Sequence, residues 1–271
     1  MEKLEPRFVY PNYLTEYRER IRLGEIIAGR ELILELDKLI DEMDDPRYRY
    51  DTTEAYTRIA FMENLCLQSK KPFYMKPMKL LLWQKAFIEV MYSYKKWSDE
   101  LGRYIKRFQD IMLLIARKNG KTTLMAADAH TDLRIGDGGQ DIVCASNDDK
   151  QASLLWNEVD GMRKRIDPKG KWTHKNMSQI ENLTNDTKIF KLSSKTQNKD
   201  GRNIDKTYFD ESHDAEDDEI AAACQKSMSV KDEPMFINLT TEGFVNDGYL
   251  DNKLAYARKV LNDEIDDDTF L

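Results

Sequence analysis

The stretch Asp110–His130, DIMLLIARKNGKTTLMAADAH, decides how this 271-residue chain folds. A short apolar run ends in a knot of cations around one glycine, and an alanine-rich helical run follows. A strand, a glycine turn carrying Gly-Lys-Thr and a helix is the layout of a phosphate-binding loop. The first N–H groups of a helix have no intrahelical partner, and the macrodipole favours an anion there. Gly120 lets the backbone approach a phosphate, Lys121 reaches the β/γ-phosphates of a nucleotide, and the Thr122 hydroxyl ligates Mg²⁺. The full loop pattern has another glycine five residues before Gly120. This chain has Ile115 there, with Ala116 as the nearest small residue.

Outward from that stretch the texture is regular. Short apolar runs at Gln140–Ser146, Thr187–Ser193, Asp205–Asp210 and Pro234–Thr241 alternate with helical segments. Strands alternating with helices predict a mostly parallel sheet flanked by helices. Before Asp110 the pattern is helical. Tyr13–Met43 carries Ile33, Leu36 and Ile40 at helical spacing and is expected to break near Gly29. Thr52–Gln68 and Leu80–Lys95 read as two more amphipathic helices. The expected organisation is a helical N-terminal subdomain over residues 1–100 and an α/β core over 101–271. The tail after Asn262 has five acids in the six residues 263–268 and reads as a solvated linker or frayed end.

The net charge of −7 excludes a dedicated basic coat for nucleic acid, so any such contact must be local. Gly161–Lys175 is the candidate: Arg163, Lys164, Arg165, Lys169, Lys171 and Lys175 stand against Asp167, with Trp172 among them. It could grip phosphates, or be a solvated helix end or a subunit contact. Cys66, Cys144 and Cys224 are too scattered for a disulfide frame or zinc site and read as reduced thiols. No apolar window suits a spanning helix and no signal peptide precedes the first helix, which predicts a soluble, intracellular protein. His130, His174 and His213 make no metal spacing and read as core or surface histidines. Trp156 reads as core.

A second motif supports the loop. In YFDESH, Asp210 and Glu211 end a strand-like run, where one acid can hold Mg²⁺ and its neighbour can polarise the attacking water. The bland alternative is a pair of helix-capping acids. A third, INLTTEG (Ile237–Gly243), ends a strand in Thr240 and Thr241, hydroxyls that could sense the γ-phosphate.

Together these residues make the chain similar to the ATPase half of the large terminase subunit of tailed bacteriophages, in the branch with an Arg-Lys-Asn-Gly-Lys loop. ARKNGKTT resembles that family's deviant Walker A, which also lacks the first glycine. LLLWQKAF resembles its adenine-recognition motif, YFDES its Walker B with catalytic Glu, and LTTEG its coupling motif. YLTEYRERIRLGEIIAGR and NDDKQASLLWNEV also resemble that branch. The resemblance implies a P-loop NTPase fold of RecA/ASCE type and Mg²⁺-dependent ATP hydrolysis. Ala116, Lys118, Asn119, Gly120, Lys121, Thr122 and Thr123 would hold the phosphates. Gln84 would read the adenine edge, with Trp83 either core or stacked nearby. Thr122 and Asp210 would hold the metal, Glu211 would orient water, and Thr240 and Thr241 would relay the nucleotide state.

Arg117 would touch the γ-phosphate in cis, and Arg202, after Gly201, is the candidate trans-acting arginine finger. The implied partners are double-stranded DNA, a portal, a small terminase subunit and copies of this chain in a ring, in the cytoplasm of an infected bacterium. The family's second, RNase H-like nuclease domain has no counterpart here, so no nuclease activity is expected. Another P-loop translocase, helicase-like, or a nucleotide-binding scaffold with little turnover are the alternatives.

Overall fold

The computed structural model describes residues 12–177, 179–193, 202–242 and 248–271. Two compact units form: Met1–Ala60 with Leu80–Tyr104, and Phe61–Lys79 with Ile105–Leu271.

The first unit opens with α1 (Tyr13–Arg22) and α2 (Arg30–Asp41); the break expected near Gly29 falls there and begins earlier, with Gly24 at φ +74°. β1 (Tyr48–Tyr50), α3 (Thr53–Leu65), α4 (Leu82–Ser93), β2 (Tyr94–Ser98) and β3 (Arg103–Lys106) follow, with the last residues of α3 and of β3 already counted in the second unit. The start of α1 is satisfied twice. Asn12 caps it, accepting from the Thr15 N–H at 2.9 Å. The buried Glu89 of α4 accepts the N–H groups of Tyr13 and Leu14 and the hydroxyl of Tyr50, at 2.9, 3.1 and 2.6 Å. The region expected to be helical also holds a three-stranded sheet, β1-β2-β3. The expected third helix stops at Ser93 because Tyr94 and the two lysines after it pair antiparallel with β1, Tyr94 against Tyr50.

The second unit runs β4 (Asp110–Leu114), α5 (Lys121–Ile135), β5 (Asp141–Ser146), α6 (Asp149–Ile166), β6 (Thr173–Lys175), β7 (Gln179–Asn182), β8 (Lys188–Ser193), β9 (Lys206–Asp210), α7 (Glu219–Met228), β10 (Met235–Thr240) and α8 (Tyr249–Leu261). These ten-odd elements make an α/β unit around a seven-stranded sheet of order β4-β10-β9-β5-β8-β7-β6. The first five strands in that order are parallel; β7 and β6 run antiparallel at one edge. All five strands expected from the sequence form. β5, β8, β9 and β10 are largely buried on both faces, which is why each reads as a continuous apolar run, whereas β4 at the edge buries only Ile111 fully. One face, through Val143, Phe190, Phe209 and Phe236, packs on Ile220, Cys224 and Met228 of α7 and on Tyr249 of α8.

Two expectations need correction. The cationic stretch after Gly161 is not merely a helix end and loop, since Thr173–Lys175 becomes strand β6. The acidic tail is not frayed. Its last residues pair with the outer edge of β4: the Gln109 N–H donates to the Thr269 carbonyl at 2.9 Å, Met112 to Leu271 at 2.7 Å, and Leu271 to Asp110 at 2.9 Å. Phe270 lies in parallel register with Asp110, and Tyr256 donates to Asp267 at 2.7 Å. An exposed edge strand gains most from such a cover. Cys66, Cys144 and Cys224 are buried free thiols. Among the described residues no helix is long and apolar enough to cross a membrane.

Candidate active site

Strand order places β10 between the loop strand β4 and the acid-bearing strand β9. The C-terminal ends of three parallel neighbours therefore converge on one place, the end of a parallel sheet where ligands bind. The loop between β4 and α5 is exposed from Ala116 to Gly120. Lys118 sits in the left-handed region at φ +67° and Gly120 at φ +83°. Only glycine adopts that conformation freely, so Gly120 is required and Lys118 carries about 1 kcal/mol of strain. Asn119 braces the turn, donating from Nδ2 to the Ala116 carbonyl at 2.9 Å.

α5 begins at Lys121, so its unpaired N–H groups and positive dipole end face the loop. Lys121 is buried and donates to Glu211 Oε1 at 2.7 Å. Thr122 Oγ1 donates to Asp210 Oδ2 at 3.1 Å. Thr123, half-buried, follows in the first turn. Burial, with Glu211 beside it, pushes the Asp210 carboxyl up to about 6. Glu211 is held at φ +55°, a left-handed non-glycine residue at the very position of the candidate catalytic acid.

Three polar contacts fix β9 against α5. Alternate residues Lys206, Tyr208 and Asp210 share one face of β9. Asp210 accepts from Thr122, the Tyr208 hydroxyl donates to Asp128 Oδ2 at 2.7 Å, and Lys206 forms an ion pair with Asp132. Asp128 and Asp132 are fully buried. Two residues along a strand advance about 6.6 Å and four along a helix about 6 Å, so the Lys206–Asp132 and Tyr208–Asp128 contacts meet in step. The sequence reading missed Asp128 and Asp132. Two acids in an alanine-rich helix resemble surface residues until Lys206 supplies the countercharge.

It also missed His213. The ring is buried just past the two acids, with Nδ1 3.3 Å from both Glu211 Oε2 and Thr240 Oγ1. The expectation for the other two histidines stands: His130 is fully buried and His174 largely exposed. Trp156 is buried, as expected.

Thr240 and Thr241 close β10, and the Thr240 carbonyl accepts the Ile115 N–H of the loop at 3.1 Å. Glu211 Oε2, Ser212 Oγ and Thr241 Oγ1 are buried with no hydrogen-bond partner among the described residues. Buried polar atoms without partners are rare, and their grouping at these strand ends fits a site built for a polar ligand. Among the described residues no three carboxylates, histidines or cysteines cluster to hold a metal. One carboxylate and one hydroxyl, Asp210 and Thr122, suit Mg²⁺, which uses few protein ligands beside substrate phosphates.

The remaining expected residues lie apart. Arg117 is exposed in the loop. Arg202 precedes β9 at the end of the sheet away from the loop, its guanidinium 3.8 Å from the centre of the Phe190 ring. Gly201 beside it, and Gly243 of the LTTEG run, lie outside the described residues. Gln84 and Trp83 belong to the first unit. Gln84 is buried, and its Oε1 accepts the Leu81 N–H at 2.9 Å at the start of α4. In the cationic stretch, Arg163, Lys164 and Lys175 all pair with Asp160 at 2.8–2.9 Å. Asp167, though burial raises it, is held down at about 2 by the N–H groups of Trp172 and Lys171 and by Thr173. Much of that charge is structural.

The family model for the terminase large subunit, ATPase domain, matches residues 82–259. The large terminase of bacteriophage HK97 superposes with a TM-score of 0.66 at 22% identity, over 81% of this chain and 43% of that one. The large terminase ATPase domain of Thermus phage P74-26 gives 0.43 at 16% identity, over 58% and 69%. The first likeness shows the same fold; the second is too slight to argue from. The chain spans less than half the length of the HK97 protein. No curated protein matches it.

Proposed function

This chain belongs to the terminase large subunit, ATPase domain family, and on that premise we propose that its second unit binds Mg-ATP at the loop before α5 and hydrolyses the β–γ phosphoanhydride. The observation that carries the reading is the meeting of Lys121, Thr122, Asp210 and Glu211 at the ends of β4 and β9. The N–H groups of Lys118 to Thr122 cradle the phosphates, assisted by Ala116, Asn119 and Thr123. Lys121 moves its ammonium from Glu211 to the β/γ oxygens. Thr122 and Asp210 hold Mg²⁺, which when bound spreads charge off the phosphoryl oxygens. Glu211 then accepts a hydrogen bond from the attacking water and aligns it in line with the leaving oxygen. Arg117 reaches the γ-phosphate from the same loop. Thr240 and Thr241 read its presence.

Arg202, at the far end of its own sheet, can serve only a neighbouring copy, which suits a ring in which each subunit completes the next. On the family likeness alone, Gln84 and Trp83 of the first unit are the proposed adenine readers. The domain organisation we propose is an adenine-binding N-terminal unit followed by the ATPase core. Within a longer assembly the cycle would drive double-stranded DNA into a prohead, with a portal and small subunit as partners, in the host cytoplasm. The family assignment is what supports these partners.

Binding of a fluorescent ATP analogue tests the reading. Wild type should bind with Mg²⁺ present, Lys121→Ala should lose at least about tenfold in affinity, and Asp210→Asn should lose the Mg²⁺ dependence. Equal binding by all three proteins would refute the site.

A further inference from the structure

We propose that His213 is a positioning residue shared between the water-orienting acid Glu211 and the end of β10, so that fixing Glu211 and releasing Thr240 become one event. The inference rests on the reading of Glu211 just given.

The geometry has three parts. First, the two oxygens of Glu211 face different partners: Oε1 takes the Lys121 ammonium at 2.7 Å, while Oε2 lies 3.3 Å from His213 Nδ1 with no hydrogen bond of its own among the described residues. Second, the same Nδ1 lies 3.3 Å from Thr240 Oγ1, on the strand between the loop and the acids. The ring thus stands at one distance from both groups and can bond to either. Third, the ring is anchored behind. Nε2 lies 3.3 Å from Asp214 Oδ1. The other Asp214 oxygen accepts from Gln151 Nε2 at 3.0 Å, and the Asp214 carbonyl accepts from Asn147 Nδ2 at 2.6 Å. Gln151 is bonded to Ser146 at the end of β5. A polar chain therefore crosses the ends of β5, β9 and β10 and meets the loop strand through the Thr240 carbonyl and the Ile115 N–H.

The consequence follows from the swap at Lys121. A phosphate that captures the ammonium leaves the Glu211 carboxylate with His213 as its one polar side-chain partner among the described residues. A flexible carboxylate with no second contact samples several rotamers, and hydrolysis needs one. His213 supplies that contact, and in turning its Nδ1 towards Oε2 it releases Thr240. Water alignment and the movement of the β10 end then become a single event. Ser or Thr alone at this place could not do this, because the imidazole spans from Asp214 to Glu211 as a rigid plane.

Single-turnover ATP hydrolysis by the full chain at high protein concentration, alongside ATP-analogue binding and thermal melting, tests the link. His213→Ala should lower the hydrolysis rate by about tenfold or more while affinity stays within about twofold. His213→Asn, whose amide can replace one ring nitrogen, should recover part of the rate, and it carries the test if the alanine protein fails to fold. Thr240→Val in a His213→Ala background should cost no more than the worse single change, because both remove one link. A His213→Ala protein that hydrolyses at the wild-type rate would overturn the link. So would full multiplicative loss in the double variant, or a loss confined to affinity. Failure of wild type itself to bind ATP would remove the reading of Glu211 and the link with it, and is told apart by the binding arm.

Discussion

Lys121 and Glu211, ninety residues apart in sequence, form an ion pair at 2.7 Å beside the loop between β4 and α5. The lysine is nearly buried and the carboxylate about a quarter exposed, so the pair is stronger than a surface one. An incoming phosphate competes with Glu211 for the same ammonium. Glu211→Gln removes that competitor. It should bind ATP severalfold more tightly than wild type, a gain on the order of 1 kcal/mol, as measured by equilibrium titration with a fluorescent analogue.

The pair is held in place by the buried contact between β9 and α5. Lys206 there is a single cation shared by two fully buried acids, Asp132 in contact and Asp128 at 3.8 Å. Lys206→Met leaves both without that charge. The protein should lose about 3 kcal/mol or more of stability in urea unfolding. Unchanged stability would show that the ion pair does not hold β9 against α5.

His130 gives a pH signature. Burial, then the charges of Arg134 and Arg163, push this fully buried ring from 6.5 down to about 3. The unfolded chain takes a proton as pH falls through 6.5, and the folded chain does not until about 3. This group therefore destabilises the fold progressively on acidification, by up to about 1.4 kcal/mol per pH unit. His130→Leu should gain on wild type by that slope between pH 6 and pH 4, as followed by chemical unfolding at each pH. Parallel curves for the two proteins would contradict the burial.

In the first unit, Glu89 accepts from two N–H groups at the start of α1 and from the Tyr50 hydroxyl. Burial pushes its carboxyl up in spite of them. Glu89→Ala strands three donors and should cost about 3 kcal/mol, whereas Glu89→Gln keeps one acceptor oxygen for up to two of them and should cost less, roughly 1–2 kcal/mol. Circular-dichroism melts of the two variants separate an acceptor role from a purely electrostatic one, for which both losses would be equal.

Legibility in the sequence followed the range of each interaction. β4, β5, β8, β9 and β10 are short apolar runs bounded by turn residues, and local pattern found all five. Lys121, Thr122, Asp210 and Glu211, which the structure brings into contact, stand out in the sequence because a loop and a strand end announce themselves within a few residues. β6 and β7 were missed because three- and four-residue polar strands carry no periodicity. The acidic tail was read as solvated because its partner, the edge of β4, lies far back in the chain. His213 was set aside for lacking metal spacing. Its partners Glu211 and Thr240 belong to two different motifs, each legible alone, and only strand order brings them together.

The central claim is that loop and acids form one hydrolytic site. Its most direct test is Mg²⁺-dependent ATP hydrolysis across a wide range of protein concentration, with wild type beside Lys121→Ala, Glu211→Gln and Arg202→Ala. We expect specific activity that rises with concentration in wild type. Glu211→Gln should bind ATP and turn it over at least about a hundredfold more slowly, Lys121→Ala should do neither, and Arg202→Ala should lose the concentration-dependent part. Undiminished turnover in Glu211→Gln would contradict the account.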